Sequence, residues 1–253
     1  MKIGLLADIH DDTSSLTKAL AVLTKEECDQ IICLGDITGS SIPNINFYDK
    51  DSRNSHEAIQ LIRKYCNEAV IGNHDLHTIE KIPNHTGIYK FPKNWYKLDY
   101  YSKQKIFKNK VWLYENELPS LIDREDRLFL IGLPEMVFKY YENELGALYS
   151  HYAYPDITGI STVKHRNPRY LEKHFKYMDM HKVKLSFSGH NHKEGISVMN
   201  KEEKEVVEPG NSFTLDKKTN YWIGIPPVAK SAVNNQGVAV FDTISYELRC
   251  LSF

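Results

Sequence analysis

A chain of 253 residues, 42% hydrophobic and 26% charged, can bury one large core and has the size at which an α/β domain stays undivided. A formal net charge of −1 leaves no overall basic excess for tracking a nucleic-acid backbone. No apolar run approaches the ~20 residues of a membrane helix, and Ile3 to Ala7 is too short for an export signal, so no membrane partner and a cytoplasmic location are expected. The four cysteines, Cys28, Cys33, Cys66 and Cys250, form no Cys-x-x-Cys pair and are expected as reduced, mostly buried thiols.

The first predicted element is a buried strand, Lys2 to Ala7, ending in Asp8-Ile9-His10. In an extended chain residues two apart face the same way, so Asp8 and His10 should project together with Ile9 packed behind them. A carboxylate beside an imidazole suits a divalent transition metal; a strand-end Asp that merely caps the next turn would look the same. Leu16, Ala19, Leu20 and Leu23 then predict a helix capped by Asp12 or Thr13. Gln30 to Leu34 is a second buried strand, followed by Gly35-Asp36-Ile37-Thr38-Gly39. A strand–helix–strand unit of this length sets Asp8 and Asp36 on one edge of a parallel sheet. Two carboxylates placed there repel unless a cation holds them.

Residues 40–54 are loop-like, and Ala58, Leu61, Ile62 and Tyr65 predict the next helix, with His56 near its start as a surface residue. It delivers the chain to a third apolar run, Ala69-Val70-Ile71, and to Gly72-Asn73-His74-Asp75. Ligands of an open α/β sheet gather just beyond the carboxyl ends of its strands. Asn73 offers a neutral carbonyl oxygen to a cation, and His74 an imidazole whose charge changes near neutral pH.

Residues 76–126 carry no catalytic signature and are expected to form a helical insert. Seven lysines between Lys90 and Lys110 interleave with Trp95, Tyr96, Tyr100, Tyr101 and Phe107; a solvated lysine face is preferred over an attraction for anionic substrate. His77 and His85 could reach a phosphate but lack metal-ligand spacing. Leu128 to Leu133 and Gly146 to Ser150 are expected as strands, the second delivering His151 to its end. Asn167-Pro168 starts a helix striped by Leu171, His174, Phe175 and Met178, so His174 is packed and His181 faces the helix's negative end. Lys164, His165, Arg166 and Arg169 read as a solvated basic loop ahead of a phosphate site. Lys184 to Ser188 is a strand leading into Gly189-His190-Asn191-His192, whose two histidines should aim the same way. Beyond Gly195 come short strands at Ile196–Met199, Tyr221–Ile225 and Val238–Phe241, with turns at Glu208–Asn211 and Asn234–Gly237. Two sheets packed face to face are expected.

The ordered set Asp8-x-His10, Gly35-Asp36, Gly72-Asn73-His74-Asp75, His151 and Gly189-His190-x-His192 closely resembles the calcineurin-like metallophosphoesterase superfamily, in its compact prokaryotic-type form. The resemblance implies one domain over residues 1–253, a four-layer α/β/β/α sandwich of two mixed β-sheets flanked by helices. It also implies a two-metal centre in a cleft at the strand ends. Asp8, His10, Asp36 and His192 would hold one ion; Asp36, Asn73, His151 and His190 would hold the other, with Asp36 bridging. His74 would stay off the metals and act on the leaving group. Mixed N/O donors suit Mn²⁺, Fe or Zn²⁺ without choosing among them.

The implied reaction is hydrolysis of a small phosphomonoester or phosphodiester. Two divalent ions ~3.5–4 Å apart can bind the attacking and leaving oxygens of an in-line displacement, and a bridging hydroxide attacks. Some features depart from the larger family. Protein serine/threonine phosphatases carry Gly-Asp-x-x-Asp-Arg where this chain has Gly35-Asp36-Ile37-Thr38-Gly39-Ser40, so the acid that would orient His74 and the phosphate-gripping arginine are missing from that motif. The tyrosine of purple acid phosphatases is replaced by Gly39, and Tyr152 stands where a glycine commonly follows the histidine. A nuclease of the same superfamily, using Lys90–Lys110 and Lys164–Arg169 on the backbone, is the alternative, disfavoured by the near-neutral charge. A catalytically silent interaction scaffold would be expected to have lost ligands that this chain keeps.

Overall fold

Alternation along each strand decides which layer a side chain enters. In β1 (Lys2–Leu6), Ile3 and Leu5 join one buried cluster while Leu6 joins another; in β2 (Gln30–Cys33), Ile32 and Cys33 divide the same way. Strands buried on both faces belong to a sheet covered on both sides. The computed structural model, which describes every residue except Lys50, Asn143, Glu144, His165, Arg166 and 232–235, contains two such sheets.

The first sheet joins β3 (Glu68–Ala69), β2, β1, β11 (Val238–Asp242), β12 (Glu247–Leu251) and β9 (Ser212–Thr214) in that order. The second joins β4 (Met136–Tyr140), β5 (Gly146–Ser150), β6 (Leu185–Ser188), β10 (Tyr221–Gly224), β7 (Ile196–Met199) and β8 (Lys204–Val207). Both are mixed. β1, β2 and β3 are parallel neighbours, as are β5, β6 and β10, and the other pairings are antiparallel.

Ile3, Leu5, Tyr149, Phe187, Ile223 and Phe241 fill the space between the sheets, with Tyr149 and Phe187 stacked at 5.4 Å between ring centroids. Each such burial is worth roughly 1.5–3 kcal/mol. Helices cover the outer faces. α1 (Thr13–Lys25) buries Leu16, Ala19, Leu20 and Leu23, and its Asp12 cap accepts the Ser15 amide. α3 (Ser55–Tyr65) adds Ala58, Ile59 and Ile62 to the same cluster. On the opposite side α7 (Glu172–Met180) packs Phe175 and Met178 with Leu148 and Trp222. The layers therefore run helix, sheet, sheet, helix, as expected.

The segment expected as a strand at Leu128–Leu133 is instead mostly helix α6 (Arg124–Gly132). Asp123 accepts the Asp126 amide and Asp126 accepts the Asp123 amide, a capping box that starts a helix whatever the apolar run after it suggests. A short apolar run does not by itself distinguish strand from buried helix. The antiparallel partner of β5 is β4, further along.

Two short helices, α2 (Ile42–Ile45) and α4 (Asn73–Thr78), sit in the loops after β2 and β3. Between α4 and α6 the chain forms a 3-10 turn at Trp95–Lys97 and helix α5 (Tyr100–Phe107), and otherwise runs as turns and irregular loop. Trp95, Phe107 and Val111 make a separate small cluster there. Six of the seven lysines between Lys90 and Lys110 are exposed.

Strand β4 was not expected; β8, β9 and β12 fall in the stretch from Gly195 expected as short strands, though not among those named, and the Glu208–Asn211 turn connects β8 to β9. Of the Asn234–Gly237 turn, Asn234 and Asn235 lie outside the described residues. His174 is buried on α7 and accepts the Tyr154 amide through Nδ1. Among the described residues no helix is long and apolar enough to cross a membrane.

Candidate metal centre

Asp8, Asp36, Asn73, His151 and His190 each follow one of the parallel strands β1, β2, β3, β5 and β6, so the fold brings them to one edge of the two sheets. Strand alternation is not what aims them. Asp8 (φ 55°), His10 (φ 47°), Asp36 (φ 52°), His190 (φ 68°) and His192 (φ 48°) all adopt left-handed backbone. That region is strained for residues with a Cβ by roughly 1–2 kcal/mol each. Strain of this kind persists only where surrounding structure enforces it, and it concentrates at functional sites. Here the enforcement is visible: the Asp8 amide donates to Gly35 O, and the Ile9 and His10 amides both donate to Asp36 O at 2.8 and 3.0 Å. Ile9 is fully buried behind the turn, as expected.

The side chains meet in two overlapping groups. In one, His192 Nε2 lies 3.2 Å from Asp8 Oδ1 and 3.1 Å from His10 Nε2. In the other, His151 Nε2 is 3.0 Å from Asp36 Oδ2, and His190 Nδ1 is 3.0 Å from Asn73 Oδ1. Asp36 stands between them, its Oδ2 also 3.9 Å from His10 Nε2, while its Oδ1 accepts the His74 amide at 2.8 Å. Gly72 makes room for it, since a Cβ there would lie 2.1 Å from Asp36 Oδ1. Asp8 accepts the His190 amide with both oxygens. The two histidines of His190-Asn191-His192 thus diverge, one into each group. His10, Asp36 and His74 also have candidate ligand atoms close together.

The ring nitrogens are oriented for ligation. His10 Nδ1 donates to Gly39 O and His151 Nδ1 to Leu34 O, each at 2.7 Å, leaving both Nε2 atoms turned inward. This backbone anchoring is how metal-binding histidines are usually fixed in tautomer and direction. His151 Nε2, 3.0 Å from Asp36 Oδ2, is fully buried and makes no hydrogen bond among the described residues; His190 Nε2 is likewise buried without a hydrogen-bond partner among them. A lone pair facing two carboxylates calls for a proton or a cation.

The electrostatics agree. Burial opposes ionisation of Asp8, yet His192 and His151 hold its carboxyl down at about 2, and Asp36 is lowered further by His151 and His74 against the same opposition. Burial disfavours a charged His151, but Asp36 and Asp8 raise it to about 9. His10, by contrast, is pushed down to about 3 by burial and then by His74 and His192. Buried carboxylates kept ionised beside imidazoles form an N/O donor set that fits a transition metal.

His74 lies at the rim, tied down at both ends. Besides its amide bond to Asp36, its Nδ1 is 2.5 Å from Glu117 Oε2. Burial lowers its basicity, but Glu117 and Asp36 outweigh that and raise it to about 9. Glu117 is the site residue that sequence reasoning missed. It belongs to the insert, as does Tyr114, whose hydroxyl accepts from Asn73 Nδ2 and donates to Asn73 O. Neither carries a periodic or motif signal.

A cleft of about 450 Å³ opens over the donor set, walled by His74, Trp112, Tyr114, Glu117 and Lys164. None of the lysines from Lys90 to Lys110 lines it. Of the expected basic loop, Lys164 lines the cleft, Arg169 is exposed, and His165 and Arg166 lie outside the described residues. The other histidines are engaged elsewhere. His77 stacks on Tyr114 at 4.2 Å, His85 bonds Glu135, and the half-exposed His56 bonds Asp126 of the α6 capping box. Tyr152 is buried, with its ring 4.4 Å from that of His190.

The uncharacterized protein MJ0912 of Methanocaldococcus jannaschii is 23% identical over 257 residues, covering 97% of this chain and 84% of that protein. A metallophosphoesterase from Sphaerobacter thermophilus shares the fold with a TM-score of 0.65 at 18% identity, covering 100% of this chain and 89% of its own. The hypothetical protein PH1004 of Pyrococcus horikoshii OT3 gives 0.56 at 12% identity, covering 99% and 87%. A sequence profile of the calcineurin-like phosphoesterases matches residues 1–194, which takes in every residue of the two groups. The chain belongs to the calcineurin-like phosphoesterase family and is a metallophosphoesterase.

Proposed function

We propose that the pocket holds two divalent metal ions and that the enzyme hydrolyses a small phosphomonoester or phosphodiester. The observation that supports this reading best is a donor set, buried except at His192, in which Asp36 lies within reach of both His10 and His151. Asp8, His10, Asp36 and His192 would hold one ion, and Asp36, Asn73, His151 and His190 the other. Ions bound there would supply Lewis-acid stabilisation of charge on the phosphoryl oxygens and would make water more acidic; Mn, Fe and Zn all suit the donors.

The chain's own groups do the rest. Gly39 O and Leu34 O hold His10 and His151 in the tautomer that turns Nε2 inward. Asn73 is kept in place by Tyr114, and the Asp36 carboxylate by the His74 amide. His74, engaged at Nδ1, has Nε2 left for a ligand in the cleft, where it protonates the departing alkoxide. Trp112, Val111 and Leu113 give the cleft an apolar wall for the organic part of the substrate. The cytoplasm is the setting we infer for this activity. The nuclease alternative gains nothing from the lysines of the insert, which stand away from the cleft.

The test is a panel of aryl and alkyl phosphate mono- and diesters offered to protein stripped of metal and then reloaded with Mn²⁺, Fe²⁺ or Zn²⁺. Hydrolysis restored by metal is the expected result. Reloaded protein that leaves every ester intact would contradict the proposal.

A further inference from the structure

Gly39 occupies a place where no side chain fits. Its φ is +86°, and a Cβ there would lie 2.6 Å from both Glu117 Oε1 and His74 Cβ, and 3.0 Å from His74 Nδ1. This is the motif position where an orienting acid is missing. The space beside it is filled instead by the carboxylate of Glu117, which reaches His74 across 43 residues of sequence.

Glu117 is built in rather than resting there. Its side chain is 5% exposed. The segment around it is stitched to the loop after β2: Leu118 N donates to Ser40 O at 2.9 Å, Ile42 N to Asn116 O at 2.9 Å, and Ser41 pairs with Glu117 as an antiparallel bridge. The Glu117 amide in turn donates to Tyr114 O, closing a tight turn. That turn grips two consecutive residues of the Gly72–Asp75 motif. Tyr114 brackets Asn73 with two hydrogen bonds and meets the His74 ring edge-on at 5.1 Å, while Glu117 takes His74 Nδ1.

We propose that Glu117 is a positioning residue for His74, supplying from the insert the carboxylate that Gly39 lacks. It accepts the Nδ1–H, fixes the ring and its tautomer, and leaves Nε2 aimed at the leaving oxygen. The proton passes from Nε2 to that oxygen; Glu117 keeps its hydrogen bond and takes no proton. The inference rests on the phosphoesterase reading of the pocket.

The experiment compares wild type, Glu117→Ala, Glu117→Gln, His74→Asn and the Glu117→Ala/His74→Asn double variant on an aryl ester and an alkyl ester. Glu117→Ala should lower kcat on the alkyl ester roughly 10–100-fold, the range for partners that orient a functional group. The aryl ester, which needs little protonation, should lose far less, with KM and bound metal unchanged. Glu117→Gln keeps the shape and an acceptor oxygen, so it should retain more activity than Glu117→Ala. The double variant should be no slower than His74→Asn, because the two residues act as one unit. Equal losses on both esters, a loss carried by KM, loss of metal, or additive effects in the double variant would each overturn the inference while leaving the phosphoesterase reading intact. A wild-type enzyme inert towards both esters would sink that reading and this inference together.

Discussion

The strand-end turns that carry the donor set and the insert segment that faces them across the cleft are held in place by different means. Behind the turns lie the two largest clusters of the molecule, one between the sheets and one under α1 and α3. The left-handed residues are pinned there by backbone bonds between neighbouring strand ends. The insert is built around the smaller cluster of Trp95, Phe107 and Val111 and is tied by backbone bonds to the loop after β2 and to residues 160–162, where Val111 pairs with Ser161 and the Trp112 amide donates to Ile160 O. Rigid packing suits ligands whose spacing a metal constrains. The insert carries Glu117, Tyr114 and Trp112, which line the cleft beside the donor set.

Substitutions on the two sides should separate these contributions. The largest effect expected is at the rim, where His74→Asn should slow an ester with a poor leaving group by about 10²–10⁴-fold. An activated aryl ester should suffer less, and metal content should not change. Loss of metal in that variant would move His74 from the acid role into the donor set.

Packing comes next. Phe187→Ala, between the sheets, should lower stability by about 3–5 kcal/mol in denaturant unfolding. Phe107→Ala, 9% exposed in the small cluster, should lower it clearly less and show itself mainly as a raised KM. Equal stability losses would mean that the insert is as integral to the core as the sheets are.

A graded effect, small over any one pH unit, is a pH dependence linking the regions. His77 stacks on Tyr114, and burial, helped by the charges of His74 and Lys103, pushes it from the usual 6.5 down to about 4. Between those values the unfolded chain binds a proton that the folded one does not. His77 therefore withdraws stability as pH falls from about 6.5 towards 4, by no more than ~1.4 kcal/mol per pH unit. His77→Phe should flatten that limb in unfolding curves measured across the range; an unchanged slope would place the acid sensitivity elsewhere.

Much of the site was legible because its residues sit at the ends of apolar runs. Asp8, Asp36, Asn73, His151 and His190 each follow a strand, partly buried at β3 and mostly buried at the others, and a motif order survives any error in local geometry. Local geometry was indeed misjudged: an extended Asp8–His10 would satisfy the same pattern, and only the fold reveals the left-handed turns. Leu128 to Leu133 fits a strand by its apolar run alone, whereas the capping box at Asp123 and Asp126 starts a helix there. Strand β8 escaped notice because three of its four residues are exposed, which leaves no apolar run to see. Glu117 was beyond reach for another reason. It meets His74 from an irregular segment 43 residues away, and neither period nor spacing links the two.

In the proposed function Asp36 joins two halves of one metal-binding set. Metal analysis of the purified enzyme beside its Asp36→Asn variant tests it most directly. Two ions per wild-type chain and loss of metal from the variant are the expected result. A wild-type enzyme that binds no metal, or an Asp36→Asn variant that keeps both ions, would contradict it.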